Sequence, residues 1–218
     1  TFAIGTAVFA AADTPQPTPS VPGSFPVLSA AAAAKPTAPV QKFSDVPVNS
    51  YAFYAIHRLR ELGVTNGLGS NKFGYGKTIN RADFLVWLTN LMKYPKVIPA
   101  KGSFSDVQDK GSNHYAAVET ALSYGIIQKT GTAFKPLSPI TRQDAVVMMI
   151  RCLGLDSTAQ KYEKLQTTYA DVTANNGYIL LAKDFGLLNI TGTKFSPASS
   201  LTRELAADML VRMYDKLQ

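Results

Sequence analysis

One set of residues returns three times along this chain at a nearly fixed interval, and a chain built that way is restricted to folds assembled from neighbouring copies of one small unit. The copies open on an aromatic-x-Asp-Val step: Phe43-Ser44-Asp45-Val46, Phe104-Ser105-Asp106-Val107 and Tyr169-Ala170-Asp171-Val172. Each goes on to a tyrosine, Tyr51, Tyr115 or Tyr178, then an apolar-striped stretch. A glycine with an aliphatic neighbour follows: Gly63-Val64, Gly125-Ile126 or Gly186-Leu187. In every copy a phenylalanine (Phe73, Phe134, Phe195) stands eight residues before an arginine (Arg81, Arg142, Arg203), and successive arginines are 61 residues apart. Chance does not produce that register twice.

Within copy one, Ala52, Ile56, Leu59 and Leu62 share one stripe while Arg58 and Glu61 face away, which predicts an amphipathic helix. Gly63 ends it, because glycine takes the left-handed conformation of a C-terminal cap and the aliphatic residue after it folds back on the last turn. A loop and a second helix follow, carrying Phe84, Leu88 and Leu91 in copy one, Val146, Met149, Ile150 and Leu153 in copy two, and Ala206, Leu210 and Met213 in copy three. Two such helices cannot bury their apolar faces alone. The fold class is therefore all-α, three helix-loop-helix repeats in one body with grooves at the seams. The copies span 43–94, 104–155 and 169–218, with linkers at 95–103 and 156–168 that are polar or contain proline.

Asn80, Thr141 and Thr202 are natural N-caps for the second helices, and Asp83 and Asp144, three positions on, complete a capping box. The arginines next to the caps have no such explanation. A cation in the first turn faces the positive end of the helix dipole and costs about 0.3 to 1 kcal/mol where an acid would help. Free amides and a guanidinium there would together form an anion site, with arginine suited to a bidentate grip on a carboxylate. The competing reading pairs each arginine with a neighbouring carboxylate such as the repeat's opening aspartate.

These residues together, F-x-D-V, a tyrosine where the family often has H-W, Gly-Ile, Phe and an I-T-R-A-E-like helix start, resemble the S-layer homology domain, which usually occurs as three tandem copies. The resemblance covers Phe43 to about Leu217. It implies a pseudo-threefold helical assembly on the outside of a bacterial cell, secreted and held in the cell wall or S-layer. It also implies noncovalent binding of secondary cell-wall polysaccharide, with a pyruvate-ketal N-acetylmannosamine terminus held by the motif arginines. By position those are Arg81, Arg142 and Arg203. Asp45, Asp106 and Asp171 and the three tyrosines join them as candidate ligand-binding residues, the tyrosines either stacking on a sugar face or packing in the core. The helix starts depart from the family pattern, reading INRAD, ITRQD and LTREL, so copy three has Leu205 where the others have an acid. Copy three also has a shorter front, 15 residues from Asp171 to Gly186, against 18 and 19 in the other two, which makes its cleft the weakest match.

The net charge of +7 favours an anionic partner, but its distribution speaks against nucleic acid. Lys and Arg exceed Asp and Glu by three in residues 43–94, by one in 104–155 and not at all in 169–218, which suits discrete anion sites rather than a continuous basic stripe. One cysteine and two histidines cannot build a closed Cys/His zinc site, and no cofactor is expected. The repeated acids are repeat grammar rather than a glycosidase pair, and neither His57 nor His114 accompanies a nucleophile motif, so no catalysis is expected. Cys152 and Trp87 read as core. Residues 1–12 resemble the remnant of a secretory signal, too short to span a bilayer. Residues 13–42, holding seven of the 13 prolines, read as a semi-rigid linker. Self-association into a surface layer, or binding of a protein partner, is the rival function from another class.

Overall fold

The structure, a computed structural model, describes residues 42–218. The secretory remnant at 1–12 and all of the proline-rich linker but Lys42 lie outside the described residues. Among the described residues there are seven helices and no named strands: α1 (Phe53–Glu61), α2 (Arg81–Leu91), α3 (Asn113–Ser123), α4 (Arg142–Cys152), α5 (Asp156–Lys161), α6 (Asn176–Asp184) and α7 (Arg203–Asp215). None is long and apolar enough to cross a membrane.

The first helix of each copy ends as its sequence requires. Gly63 has φ +69°, its amide donates to the Arg60 carbonyl, and the Val64 amide reaches back to Leu59 at 2.9 Å. That is the paired bonding of a Schellman cap, and Gly125 and Gly186 repeat it. At the start of α2 the Asn80 side chain accepts from the Asp83 amide, and at the start of α4 Thr141 accepts from Asp144. Thr202 has the same extended backbone before α7 but makes no side-chain cap bond. Its helix start is held from outside, by the Arg203 amide donating to the Lys77 carbonyl of copy one at 2.8 Å, a bond the other two second helices also make to the next copy.

A closed cycle of backbone bonds lies beside that external bond. The Ile79 amide donates to the Leu201 carbonyl, Leu201 to Ile140, and Ile140 back to Ile79, at 2.9 to 3.1 Å. All three side chains are fully buried. The three copies thus meet in a backbone triangle at the starts of their second helices, and no copy completes its own hydrogen bonding. Helix packing follows the same rotation. α3 lies chiefly on α2 and α1 on α7, while α6 packs on both α4 and α5, so each first helix covers the second helix of the preceding copy and the chain closes on itself.

Both connections expected as linkers are docked. In 95–103, the Ser103 amide and hydroxyl both donate to the buried Glu119 carboxylate, and the Val97 amide donates to Thr120. In 156–168 the chain forms α5, which packs on α6. Gly177 permits that approach: a Cβ there would lie 1.8 Å from the Ala159 carbonyl oxygen. Cys152 and Trp87 are buried in the core, and burial pushes the Cys152 thiol up to about 12.

Candidate functional site

Each opening aspartate clamps the loop that leads to its copy's arginine. Asp45 accepts the amides of Phe73, Gly74 and Tyr75 at 2.7 to 3.2 Å. Asp106 accepts those of Phe134 and Lys135, and Asp171 those of Phe195 and Ser196, all at 2.8 Å. Desolvation works against ionisation at Asp45 and Asp106, but the amide bonds outweigh it and hold both carboxyls below the ordinary aspartate value. At Asp171 the Phe195 amide is the leading cause of the same shift. Both oxygens of every opening aspartate therefore face loop amides.

The clamped phenylalanine has its carbonyl free, and the arginine of the preceding copy takes it. Arg81 Nε donates to the Phe134 carbonyl at 3.1 Å, Arg203 Nε to Phe73 at 2.9 Å, and Arg142 donates to Phe195 through Nη1. The guanidinium carbons lie 4.8, 5.1 and 5.9 Å from the Phe134, Phe73 and Phe195 ring centres, so cation–π attraction adds to the bond. Here lies part of the reason for a cation at an unfavourable helix end: each arginine couples its copy to the next, and the three close a second cycle.

At the starts of α2 and α4 the amides expected to be free are not free. The Arg81 amide donates to Ser138, the Ala82 amide to Pro136 and the Asp83 amide to Asn80; Arg142 and Gln143 repeat this with Ser199 and Pro197. At α2 and α4 copy-to-copy closure and the cap residues consume the first three donors, which leaves the guanidinium; at α7 the Arg203 amide is likewise taken, by Lys77.

The three guanidiniums have different surroundings. Arg81 pairs through Nη1 with Asp144 of copy two at 2.8 Å, so an internal acid is present, but it is the next copy's helix-start residue and not an opening aspartate. The spacing of Asp144 points to capping alone, but its carboxylate serves Arg81 while only its amide is bonded to the Thr141 cap. Arg203 is 4% exposed, wedged against Phe73 and with its guanidinium carbon 4.7 Å from the Trp87 ring centre. Burial lowers its pKa, opposed by the charges of Asp83, Asp45 and Glu204, and arginine stays ionised through such a shift. Asp83, the counterpart of Asp144, is held by Asn80 and by His114 at 2.8 Å. Arg142 has no carboxylate within 4.0 Å among the described residues, and its Nε is buried without a partner.

A groove opens at the first seam, lined among others by Arg81, Asp144, Phe134, Gln128, Thr130 and Arg151. Sequence reasoning missed Arg151, which no repeat position marks. It donates to Asp156 at 2.7 Å, and the Tyr178 hydroxyl donates to the same oxygen. The three tyrosines are not equivalent, although each follows its copy's opening step. They stand 12, 10 and 8 residues before the closing glycine. Tyr51 precedes α1 and is 53% exposed, its hydroxyl pushed up to about 12 by desolvation and then by Glu204, Tyr75 and Asp208, with Arg142 opposing. Tyr115 is fully buried and donates to the Pro99 carbonyl at 2.7 Å. Tyr178 is buried in the Arg151–Asp156 network. On surface position alone, Tyr51 is the one of the three that a sugar ring can reach. Among the described residues no group of three or more His, Cys, Asp or Glu side chains is placed to hold a metal.

The sequence profile of the S-layer homology domain matches residues 42–85 and 103–146, each stretch running from the opening step into the second helix. A cell surface protein of Thermoanaerobacter kivui is 28% identical over 151 residues, 67% of this chain and 18% of that protein. An endoglucanase of Bacillus sp. (strain KSM-635) is 26% identical over 178 residues, 77% of this chain and 18% of the enzyme. A middle cell wall protein of Brevibacillus brevis is 30% identical over 110 residues, 48% of this chain and 10% of its own length. The chain spans less than a fifth of each of these relatives. Copy three lies outside the profile matches, yet it has the same clamp, glycine cap and arginine coupling.

Proposed function

From the premise that this chain carries S-layer homology domains, and with them a place at the bacterial cell surface, we propose that residues 42–218 form a noncatalytic anchoring module for acidic secondary cell-wall polysaccharide. The finer assignment is a terminal N-acetylmannosamine bearing a pyruvate ketal, whose carboxylate meets a seam arginine while the sugar ring lies along the groove. The observation that carries this reading is a charge imbalance. Three guanidiniums sit at the copy seams against helix-dipole preference, and two of them have no carboxylate within 4.0 Å among the described residues. A planar fork of donors left in that state is matched by a carboxylate. Several weak sites on one rigid body raise overall retention when polymer ends reach them together.

The rival, a module for self-assembly or for a protein partner, draws on the Arg81–Asp144 pair, which is an internal salt bridge. Retention of the full chain on purified cell walls, before and after chemical removal of ketal-linked pyruvate, separates the two. The anchoring function predicts that retention falls with the pyruvate. Unchanged retention refutes the ligand assignment, and sugar release from the walls refutes the noncatalytic one.

A further inference from the structure

The residue two places after each arginine decides whether the preceding copy's guanidinium is already neutralised. At the first seam that residue is Asp144, and the full arrangement is visible: Arg81 hangs by Nε from the Phe134 carbonyl and presents Nη1 to the carboxylate. At the second seam the backbone relations are the same, with the Arg142 amide on Ser199 as the Arg81 amide is on Ser138, but the residue in the place of Asp144 is Leu205. Its apolar side chain packs on the core and offers no charge. Arg142 responds by sliding along its fork: Nη1 takes the carbonyl that Nε takes at the other two seams, and Nε is left buried and unbonded. The nearby acids of copy three are committed elsewhere, Glu204 to the Gly76 amide at 3.0 Å and Asp208 to Arg212 at 2.9 Å. At the third seam the guanidinium of Arg203 is covered by Phe73 and Trp87 and has almost no surface.

We infer that the second seam, between copies two and three, is where this chain takes the carboxylate of its ligand, with Arg142 as the binding residue and Leu205 as the vacancy that admits the charge. The inference rests on the anchoring function proposed above and adds which seam binds. A carboxylate arriving there lets Arg142 rotate to the bonding seen at Arg81, Nε on the Phe195 carbonyl and Nη1 on the ligand, so the guest completes a set of bonds the chain leaves incomplete. The exposed Tyr51, within electrostatic reach of Arg142, supplies an aromatic face for the ring. At the first seam a ligand carboxylate must instead displace Asp144 or sit beside it.

The test is to supply the missing acid. Full-length Leu205→Asp is compared with Leu205→Asn, which has nearly the same shape without the charge, on native walls and on walls stripped of ketal pyruvate, with helicity checked by circular dichroism. Leu205→Asp is expected to bind native walls at least ~10-fold more weakly than Leu205→Asn, and the difference vanishes on stripped walls. Equal binding of the two on native walls, while wild type still prefers native to stripped, overturns the seam assignment and leaves the anchoring function standing. A difference that persists on stripped walls assigns the anion to another wall group and overturns the carboxylate. Wild type indifferent to pyruvate sinks the parent reading instead. The Asp144 side chain is partly exposed, at 42%, so Asp144→Asn is a second variant that tests the same rule if Leu205→Asp loses helicity. It uncovers Arg81 and is expected to tighten binding to native walls severalfold, and no tightening overturns the rule that an internal acid closes a seam.

Discussion

Arg203 and Arg142 occupy the same position in their copies, and the structure predicts opposite consequences for removing them. In Arg203→Ala the Nε bond to the Phe73 carbonyl is lost, worth about 1.5 to 3 kcal/mol for a charged donor. Stacking against the Phe73 and Trp87 rings adds about 1 kcal/mol. Releasing a guanidinium from a site where burial already lowers its pKa returns part of that. The balance is a destabilisation of about 2 to 3 kcal/mol. Arg203→Met restores the packed stem but leaves the Phe73 carbonyl bare, and falls between wild type and the alanine variant. Arg142→Ala also loses a carbonyl bond, yet it relieves a buried Nε that has no partner, so it costs about 1 kcal/mol or less. Urea unfolding of the full chain, followed by circular dichroism, measures all three, with the slope of free energy against urea checked for constancy. On native walls the ranking reverses, Arg142→Ala losing more retention than Arg203→Ala at temperatures where both are folded. An Arg203→Ala chain no less stable than Arg142→Ala refutes the assignment of one arginine to structure and the other to ligand.

The three clamping aspartates make the fold acid-sensitive. Their folded pKa values lie below the unfolded value near 4, so the stability they contribute is complete above that pH and is withdrawn as pH falls through the lower folded values. Asp215, raised by burial, works in the opposite sense and is relieved by acid. A thermal midpoint that drops below about pH 4 is expected, and substituting Asp45, Asp106 and Asp171 by Asn together flattens that drop; an unchanged profile in the triple variant counts against the clamps. Gly177→Ala places a Cβ against the Ala159 carbonyl and is expected to cost about 1 to 3 kcal/mol by forcing α5 off α6, read as a lowered urea midpoint. Thr141→Ala removes a helix cap and costs about 1 kcal/mol, whereas Thr202→Ala, whose hydroxyl caps nothing, changes stability by only a few tenths; equal losses would contradict the cap geometry.

The sequence by itself determined what is local. Period and stripe marked six of the seven helices, the glycine-aliphatic pairs marked where three of them stop, and the eight-residue step from phenylalanine to arginine placed every guanidinium at a helix start. These follow from bonds between residues a few positions apart, so identical spacing gives identical geometry. It missed α5, because 156–168 has the polar composition of a linker and only the approach to Gly177 reveals the docking. It set copy three apart by Leu205 and its shorter front, but it gave the three arginines one role and the three tyrosines one role. Only the tertiary structure decided otherwise, since the partners of Arg81, Arg142 and Arg203 come from the next copy, dozens of residues away. One side chain there, Asp144, Leu205 or Asp83, sets whether the charge is paired. Repeated spacing fixes where a group stands, and the charge and cover it meets are fixed by a neighbour whose identity the repeat does not constrain.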